Sequence, residues 1–290
     1  MNIITKDRSI YAMCATNPPV LTVAAGSRVV FETRDAFGDQ IKSETDAFDG
    51  LDWERINPAT GPLYVEGAEV GDVLAVTIEK IEIADKGVVV CGKGMGTLGH
   101  LFDDAHIKIL PIVDDRVIFS DEITFPINKM IGVIGTAPDP AVGAISSGTP
   151  CAHGGNLDCK KIAEGATLML PVNVPGALLA MGDLHAAMAD GEIGVSGLEV
   201  AGRVTVTVDV LKSANLPTPM LRNDTHIMTL ASHEDLDIAV DMAVENMAKY
   251  LMSDRGMTLA DATMLISLTG NVRICQVVDP KKTIRVEMRL

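Results

Sequence analysis

Until Ser232 the apolar residues of this chain come in short alternating runs, and only beyond it do they recur at helical spacing. That order limits the fold more than any other feature. A period of two marks half-buried strands, and a period near 3.6 marks helices. Residues 27–33, 72–85 and 199–211 place branched side chains at every second position, and the run 199–211 is the cleanest of them. Residues 107–123 read as a hairpin turning at Asp114-Asp115, and residues 130–137 as an apolar strand. Ser232 then stands as an N-cap with Asp235 three on, and Leu236, Ala239, Ala243, Met247 and Tyr250 follow at helical spacing to about Ser253. Thr258 caps a second helix that Gly270 ends. Residues 272–278 and 283–290 are closing strands around a turn at Pro280. The expectation is a mainly β chain, α+β overall, with a helical layer near the C-terminus.

One stretch, residues 153–192, carries the chemistry. It opens with His153-Gly154-Gly155-Asn156-Leu157-Asp158, runs apolar through Leu168 to Leu179, and closes with Gly182-Asp183-Leu184-His185 and Asp190-Gly191-Glu192. Imidazole and carboxylate are ligands that divalent zinc, manganese or iron accept. Glycine lets the backbone turn tightly and a substrate approach closely. Asp183 and His185 are two apart, so on a strand both face one side. The same letters also build Asx turns at the ends of a buried hairpin. Taken alone, the residues leave both readings open.

Three blocks together resemble the acetamidase/formamidase family: residues 153–192; Asn57-Pro58-Ala59-Thr60-Gly61-Pro62 with Tyr64-Val65-Glu66-Gly67-Ala68; and Gly270-Asn271-Val272-Arg273 through Asp279-Pro280. They span most of the chain. The resemblance implies a jelly-roll-like β-sandwich, a smaller β-barrel-like part and an α+β C-terminal part. Approximate bounds are residues 1–135, 136–210 and 211–290 of a single catalytic unit. It also implies hydrolysis of a short amide of the formamide or acetamide type, giving ammonia and the carboxylic acid. Within that reading His153, Asp158, Asp183 and His185 are expected to hold a divalent transition metal, with zinc the expected ion. Glu32 and Asp35 complete its ligands or those of a second ion. Glu66, Asp190 and Glu192 are candidates for the general base, and Asn156 and Met188 for the substrate pocket. The chain departs from the family where Leu184, Met188 and Ala189 replace the usual Gly, Gln and Gly. Alternation turns Leu184 toward the core and leaves Met188 as the expected pocket wall. Two rivals stand beside this reading. One is an amidase with Cys151 or Cys159 as nucleophile; the other is a non-catalytic β-sandwich that holds a small ligand or a metal.

Composition removes other classes. A formal net charge of −15 argues against nucleic acid or an anionic membrane as partner, since both require basic surface. The glycine-rich residues 87–99 lack the order of a phosphate loop, so no organic cofactor is expected; they suit a mobile loop over the site. Residues 166–181 form the longest apolar run, broken by Pro171, Asn173, Pro175 and Gly176, too short to span a bilayer. The N-terminal residues lack a signal-peptide pattern, and five scattered cysteines without a paired framework read as reduced thiols in the cytoplasm. A homo-oligomer is expected, with a symmetric dimer as the commonest form.

Overall fold

The structure, a computed structural model, describes residues 2–289. Two sheets carry the chain. The first has nine strands in the spatial order Asn2–Ile4, Ser27–Thr33, Gly202–Leu211, Val73–Ile83, Thr167–Pro171, Met220–Arg222, His226–His233, Lys282–Arg289 and Asn271–Gln276. The second runs from Thr124–Pro126 through Arg116–Ile118, Ala105–Val113, Lys86–Gly92, Glu199–Val200, Leu179–His185 and Met130–Gly135 to Gly154–Asn156. Ala59–Glu66 branches from it beside Leu179–His185. This branched sheet forms no closed barrel among the described residues, and most of its strands lie before residue 136. The first sheet interleaves strands from all three expected parts, so those parts share one core.

That core lies between the sheets. Phe31, Val76, Ile78 and Leu168 of the first sheet join Ile131, Ile134, Leu179, Met181 and Leu184 of the second in one fully buried cluster. Burying each such side chain stabilises the fold by about 1.5–3 kcal/mol. Leu184 faces this core, as its alternation with Asp183 and His185 requires. The hairpin at Asp114 and Asp115 also forms as read. Both residues have positive φ, 50° and 57°, matching the twist of the flanking strands.

Two expectations change. The clean run 199–211 is not one strand. Glu199–Val200 belongs to the second sheet and Gly202–Leu211 to the first, with the crossing at Ala201. Gly202 permits it, because a Cβ there would collide with the carbonyl of Glu82 and lie 2.8 Å from Leu184 Cδ1. Helix α1, Leu236–Arg255, is capped by Asp235, whose carboxylate accepts from the N–H groups of Asp237 and Ile238. Ser232 instead lies in the preceding strand and pairs with Thr283 Oγ1 at 3.0 Å. Helix α2, Leu259–Thr269, starts at Thr258 and stops at Gly270 as read. Ala243, Met247 and Tyr250 pack the helices on Ile227, Ile284 and Val286 of the first sheet. Of the helix methionines, Met247 is core, whereas Met242, Met252 and Met264 are exposed.

Candidate active site

Strand Leu179–His185 has every residue buried and ends between Met130–Gly135 and Glu199–Val200. It delivers Asp183 and His185 to one point. Asp158 arrives there just past Gly154–Asn156, which pairs with the other face of Met130–Gly135. Gly132 makes the meeting possible. A Cβ at that position would fall on Asp183 Oδ2 and within 2.5 Å of Asp158 Oδ1. Glu199 pairs directly across from His185. Asp279 comes from the C-terminal turn, which a bridge between Gly191 and Gln276 ties to the loop of Glu192.

Distances from His185 Nε2 define the cluster: 3.1 Å to Glu199 Oε2, 3.4 Å to Asp183 Oδ1, 3.8 Å to Asp158 Oδ1 and 4.0 Å to Glu192 Oε1. Two ligand-capable groups result, Asp158–Asp183–His185 and His185–Glu192–Glu199. Asp279 Oδ2 accepts a hydrogen bond from Asn156 Nδ2 at 3.0 Å. Asp158, Asp183 and Glu192 have φ of 42°, 55° and 46°. Left-handed backbone at a non-glycine residue is uncommon, and such strain gathers at functional sites.

The electrostatics are one-sided. Burial, with repulsion from neighbouring carboxylates, holds Asp158, Glu192, Glu199 and Asp279 well above the usual carboxylate range. Burial also acts on Asp183, but the His185 charge and hydrogen bond outweigh it and hold that carboxyl low. His185 is raised well above its ordinary value, because Glu199 and Asp183 overcome the cost of burying its charge. Among the described residues no lysine or arginine pairs with any of these five carboxyl groups. Both oxygens of Asp158, both ring nitrogens of His185, Glu192 Oε2, Glu199 Oε2 and Asn156 Oδ1 are buried without a directed hydrogen-bond partner. Buried charge is costly unless paired or bound to a metal. This donor set, converging in a space kept open by Gly132, fits a divalent cation.

The cluster floors a cavity of about 190 Å³. Asn156, Asp183, Glu192, Glu199 and Asp279 face it on one side, and apolar side chains including Phe37, Trp53 and Val90 on the other. The remaining expected residues stand elsewhere. His153, 2% exposed, also has both ring nitrogens buried without a hydrogen-bond partner; it lies outside both groups, and burial with the nearby Lys281 charge pushes its pKa down to about 4. Glu32 pairs with Arg203 at 2.7 Å on the first sheet. Asp35 accepts the Asp39 N–H at 2.8 Å within its own turn. Glu66 is exposed at a strand end. Asp190 binds Arg285 through both oxygens, at 2.7 and 2.9 Å. Met188 lines a separate, larger cavity of about 590 Å³, which shares only Glu192 and Ser196 with the first. Glu199 and Asp279 were not among the expected site residues. Glu199 opens an alternating run, where an acid reads as solvent-facing, and only the Asp-Pro turn inside the third block hinted at Asp279. Residues 87–99 supply a strand, Lys86–Gly92, which reaches the cavity through Val90, and a turn after it, which reaches it through Met95.

Comparisons with known proteins agree with this fold. An acetamidase from Bacillus halodurans of known crystal structure is 45% identical, with a TM-score of 0.97 over 99% of this chain and 97% of that one. A recombinant predicted acetamidase/formamidase from the thermophile Thermoanaerobacter tengcongensis is 48% identical, with a TM-score of 0.97 over 99% and 95%. A formamidase from Methylophilus methylotrophus is 27% identical over 252 residues, 67% of this chain and 62% of that protein. The chain spans less than two thirds of the length of the curated relatives it matches. The Acetamidase/Formamidase family profile matches residues 15–148 and 141–287. On that match, which covers most of its length, the chain belongs to the acetamidase/formamidase family.

Proposed function

We propose that this chain hydrolyses a small linear amide to ammonia and the carboxylic acid at the Asp158–Asp183–His185–Glu192–Glu199 cluster. The observation that carries the reading is a set of four buried carboxyl groups and one buried imidazole, with the half-buried Asp279 beside them and no lysine or arginine pairing with any of them among the described residues, at the floor of a cavity. Asp158, Asp183 and His185 would hold a divalent transition metal, with zinc the ion best suited to mixed imidazole and carboxylate ligands. Both ligand groups meet His185 through Nε2, and one ring nitrogen serves one ion, so a single ion is favoured over two. When bound, the ion supplies Lewis acidity, polarising a carbonyl and lowering the pKa of water to about 7.

The chain's own residues do the rest. Glu192 borders the cavity, and its raised pKa suits a group that takes a proton from the attacking water and gives it to the departing nitrogen. Ammonia leaves only when that nitrogen is protonated. Asn156 fixes Asp279 by its hydrogen bond, and the Asn156 carbonyl oxygen remains free to accept from the amide NH₂. The apolar wall limits bulk water around the reacting carbonyl.

No cysteine lines the cavity, which weighs against a thiol nucleophile. The cluster opens to the cavity on one side, as a catalytic site does, whereas a structural metal site is closed. A reduced, cytoplasmic enzyme suits the five free thiols, and a homo-oligomer is the commonest assembly for such an enzyme. No helix among the described residues is long and apolar enough to cross a membrane. Metal analysis of protein purified without chelator, followed by ammonia release from an amide panel, tests the reading. Near-stoichiometric metal that is lost in His185→Ala, with chelator-sensitive ammonia release, is expected. Full activity after exhaustive chelation would overturn the metal assignment.

A further inference from the structure

The cavity over the carboxylate floor is larger and more apolar than formamide needs. Its volume of about 190 Å³ equals roughly six molecules of liquid water, at about 30 Å³ each. Formamide, with three heavy atoms, would leave about half of that space to water. The walls include Phe37, Phe48, Trp53, Ile56, Val90 and Met95, with Asn57 and Ser196 as their polar members. Three of these form an edge-to-face ladder. Phe37 and Phe48 have ring centroids 6.4 Å apart at 71°, and Phe48 and Trp53 5.0 Å apart at 74°. The ladder rises from irregular backbone around two short turns, Phe48–Gly50 and Trp53–Arg55. Phe48, Trp53 and Met95 also line a second, outer cavity of about 340 Å³, whose other walls include Asp49, Lys93, Asp103 and Asp104. These three side chains therefore separate a charged vestibule from the apolar chamber above the cluster.

Water held against such walls gains little, whereas an aliphatic group displaces it at a benefit that grows with buried apolar area. We propose that the substrate is an amide with an apolar acyl group of several carbons, admitted past Phe48, Trp53 and Met95 and held by the aromatic ladder. This inference rests on the amidase reading and assigns specificity to the 37–56 segment. Met188, which lines the other cavity, takes no part. A hydrophobic pocket discriminates one methylene by about 10- to 200-fold. Affinity and kcat/KM should then rise by about tenfold for each of the first added methylenes and fall once the chamber is full.

Trp53 is the only tryptophan in the chain, so its fluorescence reports the chamber without requiring turnover. The experiment titrates wild-type protein with formamide, acetamide, propionamide, butyramide and benzamide. Trp53 emission is followed in one arm and ammonia release in the other. Emission should respond to each amide, with Kd falling from formamide to butyramide. Phe48→Ala should flatten that series. Trp53→Phe, followed by ammonia release alone, should weaken it less than Phe48→Ala does, because a smaller ring keeps part of the ladder's contacts. A Kd or kcat/KM independent of acyl length, or highest efficiency on formamide, would overturn the inference while leaving the amidase reading intact. A graded Kd without ammonia release from any amide would overturn the amidase reading while leaving the apolar chamber in place. Ammonia release with no Trp53 response to any substrate would show that the ladder does not face the bound amide, and would also overturn the inference.

Discussion

Asp190 and Glu192 are two residues apart in one turn, yet they enter opposite electrostatic worlds. Asp190 meets the buried guanidinium of Arg285 through both oxygens, with Lys160 at 3.1 Å on its other side. Arg285 is 1% exposed and also binds Glu287 at 3.1 Å. Burial works against the charge on Asp190, but the Arg285 hydrogen bonds and charge outweigh it and hold the carboxyl below its usual range. Glu192 faces Asp158, Asp183 and Glu199 with only His185 as a positive neighbour, and its carboxyl is driven up. The first cluster is complete in itself and ties the C-terminal sheet edge to the turn. The second is incomplete without an added cation or added protons. Balanced buried charge reads as architecture, and unbalanced buried charge reads as a binding site.

The largest expected effect breaks the balanced side. Arg285→Met removes the one buried guanidinium shared by Asp190 and Glu287, leaving them only the more exposed Lys160 and Arg273, and breaking such a pair costs up to about 3–5 kcal/mol. Urea unfolding of the chelated protein should show that loss; a change below about 1 kcal/mol would mean the cluster is not structural. The next effect separates the two acids. Glu192→Gln should cut ammonia release by about 100-fold or more, as expected for a lost proton carrier. In the chelated protein it should leave stability unchanged or raise it, because it removes charge from a repulsive cluster. Asp190→Asn should do the reverse, costing about 1–3 kcal/mol of stability with metal content retained. Equal activity losses in the two variants would erase the distinction.

Much of this contrast was readable from local pattern, and the unreadable part was long-range. The i, i+2 spacing of Asp183 and His185 placed both on one side of a strand, with Leu184 in the core behind. The glycines around them pointed to close approach, although Gly132, which makes room for two carboxylates, gave no signal of its own. Glu199 reaches the site only because it pairs across from His185, and Asp279 only because Gln276 bridges Gly191. Pairings between distant strands leave no mark in periodicity. The switch of sheets at Ala201 was hidden for the same reason, since alternation records which side faces in and not which sheet a strand joins. Glu32, Asp35 and Glu66 are acids of the same kind, but Glu32 pairs with Arg203, Glu66 is exposed, and Asp35 is held by the Asp39 N–H of its own turn. The two helices, whose packing is set by a single stripe, were read almost to their ends.

Asp35 offers an intermediate case that sharpens the comparison. It is 8% exposed and has backbone N–H partners but no ion pair. Burial, with a contribution from Asp39, raises its pKa to about 6 from 3.8. A folded pKa above the unfolded one means the fold prefers the protonated acid. That contribution is therefore full below about pH 4 and is lost as pH rises through about 6. Asp35→Asn keeps an oxygen for the Asp39 N–H and cannot ionise. Relative to wild type it should gain about 1–3 kcal/mol between about pH 4 and pH 7. Unfolding curves at the two pH values check this, and parallel curves for both proteins would remove Asp35 from the set of strained acids. Its metal content should not change.

The smallest effect belongs to Glu32, where charge is balanced at the surface. Its pair with Arg203 spans adjacent strands of the first sheet, with side chains 28% and 51% exposed. Water and salt screen such a pair, and holding two long side chains in one geometry offsets part of the attraction, so exposed pairs contribute about 0.2–1 kcal/mol. Glu32→Ala should therefore lower stability by no more than about 0.5 kcal/mol, with less effect at high salt. The diagnostic measurement is metal content, because an acid that completes its balance with arginine has no reason to hold an ion. Unchanged metal and unchanged ammonia release would place Glu32 with Asp190 on the architectural side. Loss of metal from Glu32→Ala, with the fold intact, would mean that a second ion draws on the first sheet and that the site is larger than the His185 cluster.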